Sequence, residues 1–175
     1  MTREMTLAID CGGGGIKGSV VDERGTMMAP AHRVPTPYPL PPELLVETAV
    51  GLAKELPPAT RVTMGMPGMI RHGVVIATPH YITRDGPRSR VLPELVERWD
   101  HFDMGRAIEQ ALSLPTKVLN DAEVAGAGAI TGRGLEMIIT LGTGRVRRRP
   151  AGPPRRGFPG TRALGPDLRR LHRRA

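Results

Sequence analysis

Four short stretches of this 175-residue chain combine acids, glycines and hydroxyl groups in ways that could handle a phosphate. The first is Asp10-Cys11-Gly12-Gly13-Gly14-Gly15-Ile16-Lys17-Gly18. Four consecutive glycines let the backbone turn sharply and aim N–H groups at an anion with no Cβ in the way. Asp10 ends an apolar run and could hold a magnesium ion or its waters, because Mg2+ is bound through one or two carboxylates together with phosphate oxygens. The stretch formally contains G-x-G-x-x-G at Gly13, Gly15 and Gly18. The dinucleotide-binding version of that motif needs a helix next, whereas Ile16, Val20 and Val21 predict a strand. It is no Walker loop either, because Ile16 stands where that motif has glycine before its lysine. The plain alternative is a glycine-rich hairpin turn.

The other three stretches are shorter. Gly65-Met66-Pro67-Gly68 follows an apolar run and taken alone is simply a turn. Asn120-Asp121 falls where a strand ends and a helix begins. Both residue types are preferred helix N-caps, which is the structural reading. The chemical one is a carboxylate held at a strand end by helix N–H groups, placed to accept a hydroxyl proton. Leu141-Gly142-Thr143-Gly144 is a strand-to-turn element able to wrap a second phosphate.

The elements that must position these groups follow from changes of period. Residues 6–10, 16–21 and 27–34 are apolar or β-branched runs separated by glycine turns, and predict a meander of three antiparallel strands. A proline-rich connection spans 35–42. Leu44, Leu45, Thr48, Ala49, Leu52 and Leu56 then keep helical spacing until Pro57-Pro58 stops it. Strands are expected at 61–66, 74–77, 116–119 and 135–141, and helices at 104–112 and 121–130. The stretch 79–101 reads as a loop with one short helix at 93–98. Strands alternating with helices after an initial meander give an α/β fold, a mixed sheet flanked by helices. No internal repeat is visible.

Composition narrows the classes. A single cysteine, Cys11, excludes an internal disulfide and a zinc site built on several thiolates. With five aromatic residues in the chain, base-stacking surfaces and a nucleic-acid partner are not expected. The absence of an 18-residue apolar run, and a first strand close to Met1, lead to the expectation of a cytoplasmic protein without a signal peptide or membrane span.

Charge divides the chain in two. Residues 1–144 carry 14 basic and 16 acidic residues, whereas 145–175 carry 11 arginines and one acid, Asp167. The high isoelectric point therefore belongs to the tail. The expected domains are a folded unit at 1–144 and an Arg/Pro/Gly-rich tail at 145–175, which is too poor in apolar residues to fold alone.

The four stretches, in their order and spacing, resemble the ROK family of sugar kinases, in particular its polyphosphate-glucokinase-like branch. Members carry Asp-x-Gly-Gly-Thr/Ser-x-Ile-Lys-Gly, then Gly-x-Pro-Gly, then Asn-Asp, then Leu-Gly-Thr-Gly, and the resemblance covers about residues 5–144. It implies an actin/hexokinase-like (ribonuclease H-like) lobe, with a second lobe that is incomplete here. It implies phosphoryl transfer from ATP or polyphosphate to the 6-hydroxyl of a hexose such as glucose, with Mg2+ as cofactor. By resemblance Asp121 is the general base, and Asn120, Gly65 and Gly68 line the sugar pocket. Asp10 (also the magnesium residue), Gly12, Gly13, Gly14, Gly15 and Lys17 face the phosphoryl donor, and Gly142, Thr143 and Gly144 hold its other side. The resemblance leaves room for a homodimer in the complete family protein.

Three departures accompany it. Gly14 stands where the family has a hydroxyl residue, and residues 83–103 look longer than a polyphosphate glucokinase's glucose loop, which leaves the sugar open. After Gly144 the family continues with a further glycine, then a Glu and a Gly-His segment, and residues 145–175 carry none of these in that order. Of these 31 residues, 23 are Arg, Pro, Gly or Ala, amino acids with codons beginning in two G/C bases. A GC-rich gene read out of frame yields this composition, so a frameshift and an inactive, truncated kinase lobe are the preferred reading. One alternative is a non-catalytic protein whose basic arm binds RNA or polyphosphate by counterion release, although Phe158 is its one interleaved aromatic. Another is a sugar-responsive regulator of the same family lacking its DNA-binding domain.

Overall fold

The computed structural model describes residues 3–131. The strand expected at 135–141, the Gly142-Thr143-Gly144 turn and the arginine-rich tail lie outside the described residues. The elements run β1 (Met5–Cys11), β2 (Ile16–Asp22), β3 (His32–Val34), α1 (Pro42–Lys54), β4 (Arg61–Met66), β5 (Met69–Arg71), β6 (Val74–Ala77), α2 (Pro93–Trp99), α3 (Met104–Leu112), β7 (Thr116–Asn120) and α4 (Asp121–Ala127).

Five strands form one mixed sheet in the order β3-β2-β1-β4-β7. The meander β1-β2-β3 is antiparallel, as the glycine turns predicted, and β4 and β7 join parallel to β1 and to each other. Residues paired across a sheet share a face. Leu7, Val20, Val62 therefore lie on one face with Ile9, Met64 and Val118, and all six are buried. Helices α1 and α3 contact each other, and Leu45, Ala49, Leu52 and Ile108 complete that core. Each buried leucine or isoleucine contributes about 1.5–3 kcal/mol, which holds the helices to the sheet. The opposite face carries Thr6, Ala8, Asp10, Thr63, Gly65 and Lys117, and α4 packs on it at β4 and β7. A mixed sheet flanked by helices is thus the observed architecture.

Four differences from expectation have local causes. The third strand is not continuous from 27 to 34. Met27 bridges Val21, but pairing resumes only at His32 with Gly18, so three steps along β2 face five along the returning chain. Pro30, which has no N–H for the ladder, sits in that bulge. Second, the strand expected at 74–77 is present as β6 but is one arm of a hairpin: an unexpected β5 pairs antiparallel with it through His72-Gly73, both at positive φ (50° and 82°). That is the turn chemistry of a tight hairpin. Third, α4 ends at Ala127 instead of 130, where Gly126 and Gly128 weaken helix propagation. Last, within the stretch read as a loop at 79–101, Thr83 bridges Val91, and α2 extends to Trp99. Trp99 anchors this excursion, donating its Nε1–H to the Leu40 carbonyl at 2.8 Å and stacking near Tyr81 and Phe102. Among the described residues no helix is long and apolar enough to cross a membrane.

Candidate functional site

Three parallel strands end together. The register aligns Asp10 of β1 with Gly65 of β4, and Met66 of β4 with Asn120 of β7. The carboxyl edge of neighbouring parallel strands is where α/β sheets bind ligands, because the loops leaving it diverge to either side and open a crevice. Asp10, Gly65, Gly68, Asn120 and Asp121 all sit at this edge.

The four glycines form the turn between β1 and β2, closed by a Gly12 N–H to Gly15 carbonyl bond of 2.9 Å. A helix at Ile16, which a dinucleotide site would require, is excluded. Their carbonyls are tied from outside the turn. Thr36 Oγ1 donates to Gly12 O at 2.7 Å, Tyr38 Oη to Gly13 O at 3.1 Å and Arg33 Nη2 to Gly14 O at 3.0 Å. A Cβ on Gly14 would meet nothing within 4 Å, so a hydroxyl side chain would fit there. Lys17 Nζ pairs with Asp10 Oδ2 at 2.8 Å, and both side chains are about half exposed.

The β4 end and the β7 end are joined. Asn120 Nδ2 donates to the Gly68 carbonyl at 2.7 Å, while its Oδ1 caps α4 by accepting from the N–H groups of Ala122 and Glu123. Glu123 returns a bond to the Asn120 N–H, completing a capping box. Gly68 has a φ of +128°, and a Cβ there would run into the Ala77 carbonyl. At Gly65 a Cβ would press on Val124 at 3.3 Å and lie 3.5 Å from the Asp121 Cα, so its bareness lets α4 close on the sheet. Asp121 Oδ1 accepts from the Ala122 N–H at 2.8 Å. Its other oxygen has no partner among the described residues.

Two groups from the β6–α2 excursion reach the same edge. His80 Nδ1 and Tyr81 Oη are buried without a hydrogen-bond partner among the described residues. The ring of His80 approaches Gly13, its Cδ2 3.6 Å from the Cβ position there. Burial, with smaller contributions from Cys11, Tyr38, Asp121 and Asp10, pushes the Tyr81 phenol far up. Burial likewise pushes the Cys11 thiol up, so that cysteine is an inert core residue and no nucleophile. Among the described residues no three His, Cys, Asp or Glu side chains cluster as a metal site. A single carboxylate, Asp10, beside a phosphate-sized turn still fits the way magnesium is held, through few protein ligands and the oxygens of its substrate. A groove of about 380 Å³ between β5, α3 and β7, lined by His72, Asp103, Arg106, Glu109 and Lys117, shares no residue with this edge.

The expected site residues that lie within 3–131 thus come together, with Gly142, Thr143 and Gly144 outside that range. Arg33, Thr36, Tyr38, His80 and Tyr81 were not anticipated. The first three fall in or beside a proline-rich connection that reads as a linker, and nothing in their spacing points at the glycine turn. Glu123 of the capping box was not anticipated either, and the Asn120-x-x-Glu123 spacing is the signal that finds it.

The ordered motifs and the strand-end geometry agree with a family model described as the ROK family, which matches residues 6–145. The chain belongs to the ROK family. N-acetylmannosamine kinase of Escherichia coli (strain SE11) is 32% identical over 145 residues, a match covering 79% of this chain and 45% of that protein. The chain therefore spans about half the length of the curated relatives it matches. Among solved structures it is similar to the inorganic polyphosphate/ATP-glucomannokinase of Arthrobacter sp. strain KM. That similarity has a TM-score of 0.56 and 32% identity, over 70% of this chain and 46% of that one. A ROK family glucokinase from Streptomyces griseus, solved in complex with glucose and AMPPNP, gives a TM-score of 0.54 and 27% identity over 71% of this chain and 35% of that one. The ROK assignment places the sheet in the actin/hexokinase-like class and the chain in a sugar-kinase lineage.

Proposed function

We propose that the strand-end cluster is the phosphoryl-transfer half-site of a ROK hexokinase, acting on the 6-hydroxyl of a hexose such as glucose with ATP or polyphosphate as donor. The observation that carries this is the convergence at one sheet edge of an N–H-rich turn, a carboxylate at the β7–α4 junction and the loop after β4, tied to that junction by Asn120. Gly12, Gly13, Gly14 and Gly15, with Asp10 and Lys17 beside them, receive the donor phosphates. Gly65, Gly68 and Asn120 shape the sugar pocket. Asp10 would hold a magnesium ion, which when bound would supply charge neutralisation for the transferring phosphoryl group.

Asp121 acts as base. Its Oδ2 takes the hydroxyl proton as the sugar oxygen bonds to phosphorus, and the bond from phosphorus to the donor's leaving oxygen breaks. The Ala122 N–H holds the other carboxylate oxygen, which fixes the group's direction. Phosphoryl transfer depends chiefly on such positioning and on charge stabilisation.

Residues 1–144 form the N-terminal lobe on this reading, and 145–175 are sequence read out of frame. A one-base shift after the codon for Gly144 is expected to restore a Gly-x-Gly continuation and a Glu/His-containing segment, and nonsense in both other frames would overturn the frameshift. The function is tested by joining residues 1–144 to the C-terminal lobe of the Arthrobacter glucomannokinase and assaying glucose phosphorylation with ATP and with polyphosphate. The chimera is expected to turn over and the 175-residue chain to stay at background. Robust activity of the 175-residue chain would refute its inactivity. A folded chimera that binds glucose and donor without turnover would refute the assignment of the half-site.

A further inference from the structure

We propose that Arg33, Thr36 and Tyr38 are positioning residues that lock the glycine turn with its N–H groups facing the donor, an inference that rests on reading that turn as a phosphate cradle. In a trans peptide the carbonyl of one residue and the N–H of the next point in opposite directions. Hydrogen bonds to the carbonyls of Gly12, Gly13 and Gly14 therefore fix the N–H groups of Gly13, Gly14 and Gly15, and direct them away from the segment that supplies the donors. None of these three N–H groups has an acceptor among the described residues. A row of unspent N–H groups on a turn is an anion-binding concavity.

The lock answers a weakness of glycine. Four glycines in sequence can adopt many backbone conformations, and ordering them at the moment of binding would cost affinity. Here the ordering is done in advance by three side chains drawn from one short segment. Thr36 is buried, and its 2.7 Å bond is the shortest of the three. Tyr38 is half-buried, and burial pushes its phenol up to about 12, so the donor keeps its proton across the neutral range. The Arg33 guanidinium lies over Gly15, 2.5 Å from where a Cβ would be, so a side chain at that position would displace it. The proline-flanked stretch Val34-Pro35-Thr36-Pro37-Tyr38-Pro39 is stiff by composition, which suits a scaffold.

The test is residue-resolved. The full 175-residue chain, labelled with 15N, is titrated with inorganic tripolyphosphate while the amides of Gly13, Gly14 and Gly15 are followed. Binding on the arginines after Arg145 is told apart because it moves other amides. The wild type is expected to show saturable shifts at the three glycines. Thr36→Val and Tyr38→Phe, which keep shape and remove one donor each, are expected to weaken that binding by roughly two- to tenfold apiece, the worth of a hydrogen bond. Thr36→Ser, which keeps the hydroxyl, is expected to bind as the wild type does, a rescue that a loss of packing alone would not give. If Thr36→Val fails to fold, Tyr38→Phe and Arg33→Gln are read in its place. Shifts in the wild type with unchanged affinity in the donor-deleted variants would overturn the lock and leave the phosphate reading standing. No glycine shifts in the wild type would overturn the phosphate reading and the lock together.

Discussion

The turn between β1 and β2 and the junction of β7 with α4 lie at one end of the same sheet, and they treat their backbone N–H groups in opposite ways. At the turn, side chains bind the carbonyls and leave the N–H groups of Gly13, Gly14 and Gly15 without acceptors among the described residues. At the junction, Asn120 and Asp121 bind the first N–H groups of α4 themselves, and Glu123 takes the Asn120 N–H. A helix N-terminus ordinarily attracts anions. This one is occupied by Asn120 and by its own carboxylate, Asp121, whose direction is thereby fixed. The difference teaches that one sheet edge can hold a turn that keeps its donors free and, with β4 between them, a helix start that spends its own.

That comparison is broken most sharply at Asp121. In the chimera with a complete second lobe, Asp121→Asn keeps an oxygen for the Ala122 N–H but removes the base. Turnover is expected to fall by roughly 10²–10⁴ while hexose binding survives, measured by steady-state kinetics beside calorimetric sugar binding. Unchanged turnover would show that the junction supplies no base.

The link between the junction and the β4 loop is tested at Gly68. Its φ of +128° and the Ala77 carbonyl behind it leave no room for a methyl group. Gly68→Ala is expected to lower stability by about 1–3 kcal/mol, read by urea denaturation, and to shift the side-chain amide of Asn120. A neutral result would mean that the loop moves freely of the cap.

The smallest effect is expected at Gly14, which faces open space without a positive φ. Gly14→Ser is expected to change stability by no more than about 0.5 kcal/mol in either direction. Tripolyphosphate affinity is expected to rise as a hydroxyl donor joins the N–H groups. A loss of affinity would mean that the turn must stay bare.

Much of this was legible in the chain, and the limits have physical reasons. Apolar runs separated by glycine turns set the meander, and β4 and β7 were legible as short apolar runs that begin just after Pro58 and Pro115 and alternate with helical spacing. Asn120-Asp121 was legible twice, as a cap and as a carboxylate at a strand end, and the structure shows that the two readings are one arrangement. The β5–β6 hairpin was missed because His72 is an unusual occupant of a turn that needs positive φ at both central positions. The interrupted third strand was missed because β-branched and apolar content says nothing about a two-residue bulge. The ties from Arg33, Thr36 and Tyr38 were illegible for a different reason. Each spans 19 to 25 residues between a side chain and a carbonyl, and no periodicity encodes a contact of that kind.

The chain has a single tryptophan, and Trp99 is buried with its indole N–H on Leu40, Tyr81 5.5 Å away and Phe102 edge-on at 6.2 Å. Its ultraviolet emission therefore reports one place, the clasp between the β6–α2 excursion and the lead-in to α1. Tyr81 belongs both to that aromatic group and to the set of side chains felt from Asp10 and Asp121. A blue, well-shielded emission spectrum would thus act as a built-in optical gauge of whether the excursion is seated beside the strand ends, needing no label.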